Sequence, residues 1–125
     1  MIGVYGWIVV DLTDIRAVTA DLPRSYEVLV RDRIKFRVGR IVFVAFSRDE
    51  TTMGFGFPKE ERAALVEAEP HKFQLPRQSD MRYQWVEVRL AAIDVDEMRE
   101  LVLDAWRMCV PNKVSALIES VEEVG

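Results

Sequence analysis

Three strand-like runs follow one another between residues 27 and 57, the first and third of period two and the second continuously apolar, separated only by short polar turns. Side chains alternate faces along a strand, so this succession predicts an antiparallel meander. The first run, residues 27–38, sets Val30, Ile34, Phe36 and Val38 on one parity and Arg31, Arg33, Lys35 and Arg37 on the other. A turn at Gly39-Arg40 leads into the second, Ile41-Val42-Phe43-Val44-Ala45-Phe46. The third, residues 51–57, alternates Met53, Phe55 and Phe57 with Gly54 and Gly56, two positions that either admit a ligand close to the sheet or make room for a tryptophan. A further strand over residues 83–90 sets Val86, Val88 and Leu90 against Tyr83, Trp85, Glu87 and Arg89.

Helical patterns surround these runs. Asp11 and Asp14 cap a helix carrying Ile15, Val18 and Leu22, which Pro23 closes. Pro58 suits the first turn of a second helix ending at Pro70, and residues 70–81 read as a long loop. Asp94 and Glu97 open a third helix with a stripe of Met98, Leu101, Val102, Ala105 and Cys109; Pro111 separates it from a last one. The order α-β-β-β-α-β-α-α predicts a single α+β domain over residues 11–125, an antiparallel sheet with helices packed on one face and the other face open. Its expected core joins Val30, Ile34, Phe36, Val38, Val86, Val88, Leu90, Leu101 and Ala105. Residues 1–10 form an extension, either an extra edge strand, which Gly3 and Gly6 weaken, or an unordered segment.

Much chemistry is missing. Cys109 is the single cysteine and His71 the single histidine, which excludes a disulfide framework or a cysteine zinc cage. Cys109 sits on the helical stripe and reads as a buried, unreactive thiol. Gly54-Phe55-Gly56-Phe57-Pro58-Lys59 lacks the spacing of a phosphate-binding loop. No cofactor, small-molecule substrate or catalytic residue is indicated, so a non-enzymatic protein is expected. The apolar run 41–46 is far short of the ~18 residues of a membrane span, and no cationic stretch precedes the apolar start. A cytoplasmic location without a membrane partner follows as the expectation.

Charge is distributed unevenly under a net charge of −4. Residues 24–48 hold seven basic and two acidic side chains, whereas residues 94–125 hold eight acidic and three basic ones. Such a dipolar domain can meet phosphate with its sheet while its helices repel it. Arg31, Arg33, Lys35, Arg37, Arg40, Trp85 and Arg89 are therefore the candidate nucleic-acid contacts, with DNA the partner considered first. Cations would take phosphate and Trp85 would stack on bases or pack beneath a loop. A solvated strand face would carry the same lysine and arginine residues. The alternatives are a protein-interaction or self-association module, or weak divalent-cation binding on the helix face of Asp96, Glu100 and Asp104, beside Glu97.

Several stretches in order carry a family resemblance. They are Leu22-Pro23, Phe36-Arg37-Val38-Gly39 followed by Phe43, Pro58-x-Glu60-Glu61-Arg62-Ala63-Ala64-Leu65, Trp85-x-x-Val88-Arg89-Leu90 and Asp104-Ala105-Trp106-Arg107, with Pro111 and Lys113 after. Across residues 12–117 the chain resembles the MmcQ/YjbR family of small bacterial proteins. The resemblance implies a fold akin to bacterial frataxin and the label of a predicted DNA-binding protein with a double-wing motif. It carries over no catalytic residues. The His/Tyr/Gly-rich loop usual before the tryptophan is here Pro76-Arg77-Gln78-Ser79-Asp80-Met81-Arg82-Tyr83-Gln84, and frataxin's iron-binding acidic ridge is not matched residue by residue.

Overall fold

A computed structural model describes residues 9–124. The extension expected at residues 1–10 lies outside the described residues except for Val9 and Val10, and Val10 is buried in the core. Helix α1 (Leu12–Thr19) starts at a reciprocal cap in which Asp11 accepts from the Asp14 amide and Asp14 from the Asp11 amide. Strands β1 (Ser25–Val30), β2 (Arg33–Val38), β3 (Ile41–Phe46) and β4 (Thr52–Gly56) follow, then α2 (Lys59–Ala68), β5 (Phe73–Gln74), β6 (Trp85–Arg89), α3 (Val95–Arg107) and α4 (Asn112–Val124). The six strands form one sheet in the order β1-β2-β3-β4-β6-β5, every neighbour antiparallel. This is an α+β fold. No helix among the described residues is long and apolar enough to cross a membrane.

Ladder register decides the two faces, because directly opposed residues point to the same side. One row runs Phe36–Val44–Phe55–Val86 and the next Phe46–Met53–Val88–Phe73, all buried. Helix α3 packs against α1, β3 and β4 and buries Met98, Val102, Leu103, Ala105 and Trp106, while α2 packs against β5 and β6. The Trp106 indole, wholly buried, keeps its N–H satisfied by the Pro23 carbonyl at 2.9 Å. The alternate row, Lys35–Ala45–Gly54–Glu87–Gln74, lies on the side away from this core.

The structure corrects three sequence expectations. Residues 27–38 are not one strand but a hairpin, β1 and β2, turning at Arg31 and Asp32. Both turn residues have positive φ, 50° and 66°, as a two-residue turn matching strand twist requires. Neither is the glycine or asparagine that would announce such a turn. The turn also moves Val30, which pairs with Arg33 and shares its face instead of joining the core. Residues 70–81 are not wholly loop, since Phe73 and Gln74 add the edge strand β5 and a short 3-10 turn follows at Gln78–Asp80. Cys109 lies past the end of α3 and is half-buried rather than buried, its thiol pushed up by that burial.

Candidate nucleic-acid interface

The middle of the core-averted row is a trough because its two central residues, Ala45 and Gly54, are small. Trp85 fills part of it. A Cβ added at Gly54 would lie 2.6 Å from indole Nε1 and Cζ2, so the ring edge rests where only glycine leaves room. Of the two sequence readings of Gly54, room for a tryptophan is the one the structure adopts. Gly56 makes no such seat: a Cβ there would meet Ala105 at an ordinary 3.6 Å.

The segment before β6 supplies the opposite wall. Arg62, projecting from α2 and only 6% exposed, donates to the carbonyl oxygens of Met81, Tyr83 and Trp85. The Gln84 side chain accepts from the Lys59 amide at 2.6 Å, which satisfies a free donor at the start of α2. Arg77 and Asp80 pair at 3.0 Å and face the trough. Nothing in the sequence marked Arg62 as a clamp; a positive charge on a helix reads as solvated until its burial is known.

Two contiguous grooves result, of about 640 and 630 Å³, sharing Arg33, Ala45, Arg77, Asp80 and Trp85. They differ in charge. The first adds Arg48 but also Asp49 and Glu87, which balances it. The second adds Lys35 and Arg40, with Tyr83, Ile41 and Val42, so four cations face one carboxylate. Burial together with Arg33 and Arg37 holds the Lys35 ammonium below the ordinary lysine range, against the opposite pull of Asp80. Burial is the larger cause, and the neighbouring cations add to it. Arg33 is fixed by a 3.0 Å bond from its Nε to the Phe46 carbonyl.

Of the predicted contacts, Arg33, Lys35, Arg40 and Trp85 are thus brought together. Arg37 shares the face of Lys35 but lines neither groove, and its Nε is buried without a partner among the described residues. Arg31 stands in the hairpin turn, outside both grooves. Arg89 opposes Thr52 near the far edge, where its guanidinium donates to the Pro70 carbonyl at 2.9 Å. Sequence reasoning missed Arg77 and Arg48, which reach the site from loops whose path no periodicity reports. The acidic face of α3 is broken up: Glu97 pairs with Lys72 at 3.0 Å and Asp104 with Arg107 at 2.9 Å. No group of three or more such ligands among the described residues is placed to hold a metal ion.

A helix-backed antiparallel sheet with a charged trough on its free face defines a small α+β domain. A family model described as YjbR matches residues 20–108, and the chain belongs to the YjbR family. The crystal structure of Deinococcus radiodurans protein DR2400, with a DUF419 domain, is similar at a TM-score of 0.70 and 19% identity. The likeness covers 82% of this chain and 80% of that one, and at this identity it concerns the fold alone. No match was found among curated proteins.

Proposed function

We propose that this protein is a cytoplasmic, non-enzymatic module that binds nucleic acid, DNA first among the candidates, through the trough on its core-averted sheet face. The observation that carries the reading is the charge of the second groove, where Arg33, Lys35, Arg40 and Arg77 outnumber Asp80. Phosphates spaced along a strand would offset the repulsion among these cations, which adds to burial in lowering the Lys35 pKa. Helix α3 covers the opposite side of the sheet, and its exposed Asp96 and Glu100 would disfavour a polyanion there.

A second reading rests on the sheet edge. Strand β1 is terminal in the sheet, and its Leu29 is 70% exposed, which suits a protein partner or a second copy pairing there. Titration of labelled oligonucleotides at two salt concentrations separates the two. Release of counterions makes phosphate contact weaken steeply with salt, whereas an apolar edge contact does not. Binding without salt sensitivity, or no binding, defeats the nucleic-acid reading.

A further inference from the structure

The trough holds two contiguous grooves. Each groove is of the size that takes a small molecule or part of one. Trp85 stands between them, anchored by the indole edge over Gly54 and bordering both. Trp85 is only half-buried, so part of its indole stays accessible from the grooves it lines. One groove sets that ring beside Arg33, Lys35 and Arg77, while the segment held by Arg62 walls the other side.

We infer that the trough takes an unpaired strand: one base enters to stack on Trp85 while flanking phosphates lie on Lys35, Arg33 and Arg40. This rests on the nucleic-acid reading above and narrows it to single strands. In a duplex the base faces are occupied by neighbouring base pairs and only edges and backbone are presented. Such a ligand could meet the cations with its backbone but has no free base face to stack on the indole. An unpaired base has a free face, and stacking on an aromatic ring is tolerant of sequence.

The test measures fluorescence anisotropy of a labelled single-stranded oligothymidylate and a hairpin duplex of equal phosphate number, at low and high salt. Tighter binding of the single strand, with Trp85→Leu weakening it about tenfold or more and leaving duplex binding unchanged, is the expected result. Trp85→Phe, which keeps a ring, should retain most of the preference and covers the case in which the leucine variant is unfolded. Equal or tighter duplex binding overturns the single-strand inference and leaves the nucleic-acid reading standing. Unchanged single-strand affinity in a folded Trp85→Leu variant overturns it too. Salt-sensitive binding of neither probe overturns both.

Discussion

Arg62 donates to the carbonyl oxygen of Tyr83 at 2.8 Å from a side chain that is almost wholly buried. The same guanidinium reaches Met81 and Trp85, so one side chain closes three carbonyls of the segment that walls the trough. Replacing it with Met keeps apolar bulk but leaves those acceptors unpaired. Arg62→Met should lower unfolding free energy by about 3 kcal/mol, read by urea denaturation. A loss under ~0.5 kcal/mol would mean the segment is held by other contacts.

Gly54 and Trp85 should be coupled in the same way. A methyl at residue 54 would meet the indole at 2.6 Å, so Gly54→Ala must displace the ring or strain the sheet, at a cost of roughly 1–3 kcal/mol. In a Trp85→Leu background most of that cost should vanish. A double-mutant cycle with no interaction energy would show that Gly54 is required for another reason.

The large elements were legible because each carries one dominant period. Phe36, Phe55 and Val86 share a buried row as their alternation demands, with Val44 of the continuously apolar β3 between the first two, and the Asp11 and Asp94 caps stand where α1 and α3 begin. The β1–β2 turn was harder to read: Asp32 alone interrupts the apolar parity of Val30 and Ile34, the basic parity runs on through Arg31, and no glycine or proline marks the place. Half of the site followed from the basic strand. The other half depends on where residues 77–84 fold back, which is a tertiary fact fixed by Arg62 and Gln84.

The turn offers its own test. Arg31 and Asp32 adopt positive φ, which costs a non-glycine residue about 1 kcal/mol or more. Arg31→Asn with Asp32→Gly keeps net charge unchanged and supplies the residues that the turn prefers. The variant should gain about 1 kcal/mol of stability by thermal unfolding. Because Arg31 lies outside both grooves, oligonucleotide affinity should stay within about twofold. A large loss of affinity would restore Arg31 to the site.

Lys35 gives the site a pH dependence whose sign is fixed. Its pKa in the folded protein is lowered, by burial first and then by Arg33 and Arg37. Below that value both folded and unfolded chains carry the proton, and the folded one bears the repulsion. As pH rises through the folded pKa toward the ordinary lysine value, the folded chain sheds the proton first and gains stability. Binding runs the opposite way, since a polyanion favours the protonated amine. Over the alkaline window below the ordinary value, stability from this group should rise while oligonucleotide affinity falls. Lys35→Met should remove both trends, and their persistence in that variant would assign them to other groups.

Reversal of charge at the groove is the sharpest test of the site itself. Lys35→Glu with Arg40→Glu changes net charge by −4 and turns two of the four groove cations into carboxylates. Arg33 is spared because its Nε holds the Phe46 carbonyl, and its loss would confuse binding with stability. The control is Asp96→Lys with Glu100→Lys, which changes net charge by +4 on the exposed surface of α3. If the trough is the site, the first pair should reduce affinity at least a hundredfold at low salt. It should also flatten the dependence of affinity on salt, since about two phosphate contacts are lost. Compared at about 0.1 M salt, where the Debye length is about 10 Å, the second pair should raise affinity only slightly, because α3 packs on the other side of the sheet from the trough. Equal and opposite effects of the two pairs would mean that the strand is drawn by net charge alone and that the trough confers no site.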